Sequence, residues 1–430
     1  MVLSKENVTE GTMSAEERMK IDEIRKYLHK MRIRYWQASN RNERSKLLDE
    51  MQAVTELHRK SLIRLIKGEL ARKPRRKQRG KTYATEVRTA VGAIAQSLDY
   101  PCAERLRPNL VWMAGQLERH GELQTSPEVM KKLAQISVST VRRMQTPVGQ
   151  QPDRMAHSKQ RSGTANHLLQ AVPMRRIHWD EAKPGHFEVD LVHHCGVSLE
   201  GQYIHTLQMV DVATGWSECT PILGRSYLVM EDGFQCLLNR LPFPVLELHP
   251  DNGSEFFNAF MLKLWKEKVQ GVELSRSRPY QKNDNRFVEE NNFSLVRAYV
   301  GYQRWDTVAQ VRLLHQLYDL LWLYHNFFQP VMRLQKKITP TDALHSKRVY
   351  DDAKPPLDRL CASGVLDSPH QNQLLALREA TNPCLIRHSI EHLTSQLFIL
   401  PRAREGITED VHQTLGQWRS GQLPKVRPLD

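Results

Sequence analysis

Hydrophobic positions in the first 70 residues recur every three or four places, which is the spacing of amphipathic helices. This pattern predicts helices over 15–37, 43–53 and 58–67, the first opened by a capping box of Ser14 and Glu17. A tight connection before a short basic helix is typical of a helix-turn-helix, although a helical hairpin with a solvated charged face gives the same pattern. The candidate DNA-contacting residues of the third helix are Arg59, Lys60, Arg64 and Lys67.

A second helical pattern covers 84–145 and ends in another candidate helix-turn-helix. Pro127 stands at the expected first position of a short helix, where proline is tolerated because that backbone N–H has no helical partner. After a break rich in serine, a further short helix carries Arg142 and Arg143, which we expect to contact DNA. The next segment, 146–171, is rich in Gln, Ser, Gly and Arg, has no hydrophobic period and is predicted to be a linker.

From residue 172 onward, short apolar runs alternate with stretches of helical spacing. Strands are predicted over 187–192, 203–212, 216–223, 245–249 and 272–275, and helices over 226–240, 256–268, 284–302 and 307–328. Three strands followed by alternating helix and strand predict an α/β core with a mixed sheet. The aromatic residues of the last helix favour core packing over a base-stacking platform. The remainder, 336–430, is polar and mostly helical in pattern.

Charge is unevenly distributed along the chain. The net charge is +14, and residues 1–150, with 30 basic and 17 acidic residues, hold +13 of it. Because no stretch combines this charge with a strongly apolar face, nucleic acid is favoured over a membrane surface as the partner. Seven of the ten residues from Arg72 to Lys81 are basic, which predicts an extended arm on a phosphate backbone or in a minor groove, with a solvated linker as the alternative. These seven are Arg72, Lys73, Arg75, Arg76, Lys77, Arg79 and Lys81.

The six cysteines are scattered and form no C-x-x-C pair. This spacing predicts reduced thiols in a cytoplasmic protein and argues against a zinc ribbon. No run of 18 apolar residues occurs, and the first 20 residues contain no apolar stretch typical of a signal peptide.

Three acidic residues stand where a cation could bind. Asp190 lies inside an apolar run predicted as a strand, Asp251 ends another such run, and Glu289 is on the helix that begins after Asn283. A buried carboxylate costs several kcal/mol unless it is paired or binds a cation, and ligand sites of open α/β sheets lie at strand ends. Three carboxylates can hold one or two Mg²⁺ ions. The pattern alone is weak, however, because any α/β protein has acids in such positions.

The sequence around these acids resembles a known family. The matching segments are PGHFEVDLVHHCG (184–196), MVDVATGW (209–216), LHPDNGSEF (248–256) and SRPYQKNDNRFVEENN (277–292). They are similar to the catalytic core of bacterial insertion-sequence transposases with a retroviral-integrase-type (DDE) domain, over 172–335. The resemblance implies an RNase-H-like fold, with Asp190, Asp251 and Glu289 as catalytic ligands of two Mg²⁺ ions for which Mn²⁺ substitutes.

Two departures from the family pattern concern the third acid. The 37 residues between Asp251 and Glu289 are two more than is usual, and we expect the extra residues near 268–271, between a helix and a strand. Glu290 stands where the family often has Gln and offers a rival carboxylate. Adjacent helical residues point about 100° apart, so only one of the two acids can face the metals. The match favours Glu289.

Other residues near these segments could be mistaken for ligands. Asp211 lies in the context of the turn between the second and third strands, and we expect it to be structural. His193, His194 and Cys195 are consecutive in a strand, where neighbours face opposite sides, so a zinc cluster is not expected. His194 or His249 could still touch DNA or groups beside the site.

The segment before the helix of Glu289 carries further polar residues. Arg278, Tyr280, Lys282 and Asn285 are placed to contact the DNA backbone, and Arg278 and Lys282 are the candidate DNA-binding residues here. The alternative is that Arg278 and Tyr280 only fix the loop.

Together these patterns predict a multidomain chain. Its predicted segments are a helix-turn-helix module at 1–71, the basic arm at 72–83, a second helix-turn-helix module at 84–145, the linker at 146–171, the RNase-H-like catalytic core at 172–335 and a helical C-terminal region at 336–430. The resemblance implies a bacterial, nucleoid-associated DNA transposase that nicks element ends and joins the freed 3′-OH groups to target DNA. It implies double-stranded DNA and further copies of the chain as partners, and leaves an ATPase partner open. The alternatives are a DNA-binding regulator with an inactive core and an RNase-H-type nuclease.

Overall fold

The computed structural model describes residues 19–68, 83–145, 173–178, 181–251, 256, 271–278, 284–338, 347–404 and 409–416. The chain forms two compact units, Met1–Thr82 and Tyr83–Asp430. Each unit has its own cluster of buried apolar side chains. The predicted linker lies outside the described residues, as do all the basic residues of the arm.

The described part of the first unit consists of three helices, α1 (Ile21–Gln37), α2 (Arg41–Thr55) and α3 (Arg59–Lys67). The predicted helices at 43–53 and 58–67 are confirmed with slightly shifted ends. The helices share a core that includes Leu28, Met31, Leu48, Met51, Leu62 and Ile66.

The first helix begins later than the sequence pattern predicts. Met19 and Lys20 are not helical, and α1 starts at Ile21. The reason is a cap at this point, where the backbone N–H of Lys20 donates to the carboxylate of Glu23 (2.7 Å). The expected capping pair lies outside the described residues, and a start of the helix at residue 15 is wrong.

Five helices open the second unit: α4 (Thr85–Ser97), α5 (Ala103–Leu106), α6 (Leu110–Arg119), α7 (Pro127–Gln135) and α8 (Val138–Gln145). The hydroxyl of Ser126 accepts from the backbone N–H of Val129 (3.3 Å) and caps α7, whose first residue is proline as expected. The buried side chains of these helices belong to the same core as the sheet. The segment 84–145 is therefore packed within the second unit, and its helix-turn-helix role stays a prediction.

The centre of the second unit is a five-stranded sheet of β1 (His186–His193), β2 (Ile204–Asp211), β3 (Ser217–Leu223), β4 (Glu247–Pro250) and β5 (Glu273–Leu274). The strand order is β3-β2-β1-β4-β5. Strands β1, β2 and β3 pair antiparallel, whereas β4 pairs parallel to β1 and β5 parallel to β4. The predicted mixed sheet is confirmed, and with its helices it is consistent with an RNase-H-like core.

Helices cover this sheet from several sides. They are α9 (Tyr227–Arg240), α10 (Arg286–Asn291), a π-helical segment (Asn292–Arg297), α11 (Ala298–Val300) and α12 (Val308–Phe327). Gly233 allows α9 to lie directly on Leu207 and Ile222, because a side chain at 233 would meet both. The amide of Asn326 in α12 bonds to both the N–H and the C=O of Ser217 (2.9 Å each) and so completes the edge of β3.

The aromatic side chains of α12 confirm the prediction of core packing. Tyr318, Trp322, Tyr324 and Phe327 are each at most 3% exposed, so none can stack on a base in this structure. The helix predicted at 256–268 lies outside the described residues apart from Phe256.

The C-terminal region contains a small sheet that the sequence pattern did not predict. Strands β6 (Leu334–Ile338) and β7 (Lys347–Tyr350) pair antiparallel. Their lysines and arginines obscure the alternation of apolar and polar positions that identifies a strand. The helices that follow are α13 (Pro356–Ala362), α14 (Ser368–Ala380) and α15 (Pro383–Ile399), with a 3₁₀ turn at Val411–Thr414.

None of the described helices has the length and apolar character that a membrane crossing requires. The six cysteines are free thiols.

Candidate active site

Asp190 occupies the middle of β1, where it is half-buried. Its carboxylate accepts hydrogen bonds from the backbone N–H of Leu191 (2.8 Å) and from Nδ2 of Asn292 (2.5 Å). Its partner across the antiparallel pair is Gln208, a buried residue whose side-chain amide has no hydrogen-bond partner among the described residues. Sequence reasoning missed both Asn292 and Gln208, since only the strand register and the helix position bring them to Asp190.

Asp251 directly follows Pro250, the last residue of β4, and is half-buried. Strand β4 runs parallel to β1 with Val189 paired to Pro250, so Asp190 and Asp251 follow as the next positions of this register. Neighbouring strands lie about 4.8 Å apart, so the two backbones are close at these acids. The side-chain oxygen of Asn285, in the amide orientation that satisfies its neighbours, accepts from the backbone N–H of Asp251 (3.2 Å). This bond ties the end of β4 to the start of α10.

Glu289 is exposed on α10, and two contacts tie that helix to β1. The carboxylate of Glu188 accepts from the backbone N–H groups of Phe287 and of the following residue (2.6 and 3.0 Å). Asn292, which donates to the Asp190 carboxylate, comes three residues after Glu289 and therefore lies on the same side of the helix. The structure thus brings the helix face of Glu289 to the strand of Asp190.

Glu290 points to a different part of the molecule. Its carboxylate lies 3.6 Å from Nη2 of Arg105 in α5, in a pair exposed to solvent. This contact agrees with the expected angle between adjacent helical residues. Glu289 is the acid on the Asn292 side of the helix, and its choice over Glu290 as the catalytic acid stays a prediction.

The donor chemistry at this place suits a hard divalent cation. Carboxylate oxygens are the ligands that Mg²⁺ prefers, and Asp190, Asp251 and Glu289 supply them from adjacent strands and the helix tied to them. Within the described ranges, no three His, Cys, Asp or Glu side chains are close enough together to hold an ion. The structure brings the three elements together without bringing the three carboxyl groups into one ligand set.

A positively charged environment surrounds the first turn of α10. The ring of Phe287 lies between two guanidinium groups, that of Arg286 at 4.3 Å and that of Arg333 at 4.6 Å from its centroid. Burial lowers the pKa of Arg333 to about 10. Burial also raises the pKa of Glu188 to about 8, although the two backbone hydrogen bonds oppose that rise.

A polar network beneath β4 was not foreseen from the sequence. Glu247 accepts from Nε of Arg175 (2.8 Å) and from the hydroxyl of Ser275 (2.5 Å), and it is hydrogen-bonded to Nδ1 of His186 (2.8 Å). Burial alone would raise the pKa of Glu247, but the bonds from His186, Arg175 and Ser275 outweigh it and lower the pKa to about 2. These residues join only through the register of β1, β4 and β5, which single-sequence patterns do not give. The network fixes β4, the strand that Asp251 directly follows.

The two histidines beside the predicted catalytic acids are fully buried. His194 is hydrogen-bonded to the hydroxyl of Thr206 (2.7 Å), and His249 to that of Ser275 (2.6 Å). Burial lowers the pKa of both imidazoles, in His249 to about 4. Neither side chain can touch DNA in this structure, because neither reaches the surface. His249 meets the other alternative, contact with groups beside the site, through its bond to Ser275 in the network beneath β4.

Asp211 is structural, as expected. Its buried carboxylate accepts from the backbone N–H groups of Gly185 (2.8 Å) and Thr214 (2.7 Å) and from the Thr214 hydroxyl (2.6 Å). These bonds close the turn between β2 and β3. Burial raises its pKa, and the three donors partly offset the rise.

Arg278 is engaged by an internal partner. Its Nε and Nη2 donate to the two carboxylate oxygens of Asp284 (2.9 and 2.8 Å), and its backbone N–H donates to the same carboxylate (3.0 Å). The bidentate pair fixes the loop ahead of α10, which supports the loop-fixing alternative. Tyr280 and Lys282 lie outside the described residues.

The predicted DNA-contacting residues of the helical regions differ in their surroundings. Arg59 pairs with Asp49 of α2, and Arg142 pairs with Glu104 of α5. The remaining described candidates, which are all exposed, are Lys60, Arg64, Lys67 and Arg143. Lys60, Arg64 and Lys67 thus offer a cationic surface on α3.

Comparison with known proteins gave the following matches. No protein-family model matches the chain. The chain is 35% identical over 328 residues to a Sinorhizobium fredii (strain NBRC 101917 / NGR234) protein named "Uncharacterized protein y4rM", and the match covers 76% of this chain and 92% of that protein. Among solved structures, the catalytic core domain of BIV integrase in crystal form I matches with a TM-score of 0.25 and 21% sequence identity, over 33% of this chain and 83% of that chain.

Proposed function

We propose that this chain, which belongs to the family of the Sinorhizobium fredii protein y4rM, is a DNA transposase with a polynucleotidyl transferase core. In this proposal it binds the two ends of a mobile element and nicks each end to free a 3′-OH. It then joins that hydroxyl to a phosphodiester of target DNA by direct displacement. The support comes from the motif segments at 184–196, 248–256 and 277–292 and from the way the fold arranges the elements of Asp190, Asp251 and Glu289.

One observation carries the proposal. Asp190 and Asp251 follow a paired position on two parallel strands, and the helix of Glu289 is bonded to the first of those strands. Up to 98 residues separate the three motif acids along the chain, yet the fold places Asp190 and Asp251 on neighbouring strands and bonds the helix of Glu289 to β1.

Asp190, Asp251 and Glu289 would hold the metal ions, with Asn292 orienting the carboxylate of Asp190. Divalent cations bound there stabilise the charge that develops on the attacking and leaving oxygens of a phosphodiester. The chain itself must bind the DNA and bring the scissile phosphate to these acids. No covalent link between protein and DNA is required, since the 3′-OH of the nicked end is itself the nucleophile.

DNA binding is assigned to the N-terminal third. Residues 1–150 hold +13 of the net charge of +14. Each phosphate that a lysine or arginine neutralises releases a counterion, so binding is expected to weaken steeply with salt. Because two ends must be processed together, we expect the active complex to contain at least two copies of the chain.

The test uses the full chain and labelled duplexes that carry the terminal repeats flanking its gene. With Mg²⁺ or Mn²⁺, we expect strand-specific nicks at the repeat ends and joined products with a second duplex. An RNA–DNA hybrid of the same sequence serves as the matched control. Cleavage of the hybrid alone would indicate an RNase-H-type nuclease, and binding with no nick under any condition would indicate a regulator with an inactive core.

A further inference from the structure

Glu188 lies two residues before Asp190 in β1, so both side chains project from the same face of the sheet. It is 1% exposed. One oxygen, Oε2, accepts from the backbone N–H groups of Phe287 (2.6 Å) and Val288 (3.0 Å). Both donors belong to the first turn of α10, the helix that carries Glu289. A carboxylate of β1 thus holds the start of that helix.

This contact replaces a cap that the helix does not make for itself. The first N–H groups of any helix have no partner within it, and a buried helix end needs acceptors for them. Asn285, the residue before α10, makes no side-chain capping bond to the helix. Glu188 supplies the acceptor from a strand about 100 residues earlier. The first N–H groups of α10 are therefore satisfied by β1 and not by a side-chain cap from the residue before the helix.

A second bond attaches the same helix one turn further on. Nδ2 of Asn292 donates to Oδ2 of Asp190 (2.5 Å). Glu289 lies between the two attachments, after the residues that Glu188 binds and before Asn292. The position of Glu289 relative to Asp190 is consequently set by three hydrogen bonds to β1, two to Glu188 and one to Asp190.

We infer that Glu188 is a positioning residue of the proposed strand-transfer site, holding the helix of Glu289 against β1 so that Glu289 and Asp190 can act on the same phosphate. The inference rests on the proposed function. It assigns Glu188 no contact with DNA or with a metal ion.

The geometry at Glu188 supplies a discriminating pair of variants. Both hydrogen bonds go to one oxygen, so the amide oxygen of Glu188→Gln can accept both. Glu188→Met fills a similar volume and offers no acceptor of that strength. Val210, the buried partner of Glu188 across the β1–β2 pair, gives the matched control, because Val210→Ala disturbs the same face and leaves both bonds in place.

In the strand-transfer assay with full-length protein, we expect Glu188→Gln and Val210→Ala to remain near the wild-type rate. Glu188→Met should be slower by about 100-fold, because a catalytic group displaced by about 1 Å loses that much. Its binding to end DNA and its melting temperature should match those of Val210→Ala. Glu188→Met as active as Val210→Ala would overturn the inference. The inference would also be overturned if Glu188→Gln were as inactive as Glu188→Met, because the hydrogen-bond acceptor at position 188 would then not account for the loss.

Hydrogen exchange without DNA or metal gives a readout independent of activity. The amides of Phe287 and Val288 should be protected in wild type and in Glu188→Gln, and should exchange faster in Glu188→Met while β2 amides are unchanged. Unprotected amides at 287 and 288 in wild type would refute the inference even if Glu188→Met does not fold. If the wild-type chain joins no DNA, the proposed function is wrong. The hydrogen-exchange rates of the Phe287 and Val288 amides would still show whether Glu188 holds the start of α10.

Discussion

The acidic side chains around the central sheet fall into two groups that differ in access to solvent. Asp211 and Glu218 are fully buried, whereas Asp190 and Asp251 are half-buried and Glu289 is exposed. A buried carboxylate is costly unless donors surround it, so the first group exists only because the fold encloses it in hydrogen bonds. An acid within a strand therefore indicates a reactive site only where a ligand can also reach it.

The buried carboxylate of Glu218 is surrounded by hydrogen-bond donors. It accepts from the indole N–H groups of Trp216 (2.8 Å) and Trp322 (2.6 Å) and from Nε of Arg240 (2.6 Å). Burial raises its pKa, and Arg240 together with the two indoles opposes the rise. Its bonds join β3 to α9 and α12. Asp211 and Glu218 therefore connect structural elements, and their loss should affect stability before activity.

The largest expected effect is the loss of strand transfer when an acid of the accessible group, Asp190 or Asp251, is replaced. Asp190→Asn and Asp251→Asn should each lower strand transfer by about 1,000-fold or more, because several kcal/mol of transition-state stabilisation are lost and each 1.36 kcal/mol is tenfold. Binding to end DNA and the melting temperature should stay near wild type. Single-turnover joining assays with a parallel gel shift measure both. Near-wild-type joining by either variant would remove that acid from the reactive group.

The next effect concerns DNA affinity. Replacing Arg75, Arg76, Lys77 and Arg79 with Ala should weaken binding to end and random duplexes by a similar factor, because phosphate contacts carry no sequence information. The slope of log affinity against log salt should fall by about three to four. Gel shifts over a salt series measure this, with Arg142→Ala as the control that should change sequence preference instead. An unchanged slope would contradict the arm's assignment.

The buried group is tested by Asp211→Asn, for which we expect the reverse outcome. Leaving buried donors at Gly185 and Thr214 without a charged acceptor should cost about 1–3 kcal/mol and lower the melting temperature by a few degrees. Strand transfer well below that temperature should be unchanged. Calorimetry and the joining assay together decide the matter. A variant of full stability with no activity would place Asp211 among the reactive acids.

A smaller effect is expected on the pH dependence of stability. The pKa of Glu247 is lowered to about 2 from an ordinary value of 4.5, so the stability it contributes is fully present above pH 4.5 and is lost as the pH falls toward 2. Glu247→Gln should therefore flatten the decline of melting temperature in that acid range. Glu273→Gln, whose carboxylate is exposed beside the same Arg175, is the matched control and should leave the decline intact. Equal curves for wild type and Glu247→Gln would count against the network.

Local patterns predicted much of the fold. The strands β1 to β4 and the helices α9 and α12 lie close to their predicted places, because their apolar runs and periods are strong. The sheet β6–β7 was missed, since its charged residues mask the alternation. The start of α1 was misplaced, because the pairing of Lys20 with Glu23 competes with an earlier capping signal.

The site was predictable only in part, for a related reason. Asp190, Asp251 and Glu289 stand in recognisable motifs, so the sequence could single them out. The attachment of α10 to Glu188 and the bond of Asn292 to Asp190 depend on tertiary packing between positions about 100 residues apart. Contact of His249 with Ser275 and not with DNA could not be predicted for the same reason, because its burial follows from the pairing of β4 with β5.

Whether Asp190, Asp251 and Glu289 form one catalytic site is tested most directly by comparing Glu289→Gln with Glu290→Gln in one strand-transfer assay. The two acids are adjacent, and the structure turns Glu290 to Arg105 and Glu289 to the side of Asn292 and Asp190. If Asp190, Asp251 and Glu289 form one catalytic site, Glu289→Gln abolishes joining while Glu290→Gln stays near the wild-type rate and both bind end DNA. Measurable joining by Glu289→Gln, with none from Glu290→Gln, would contradict the account.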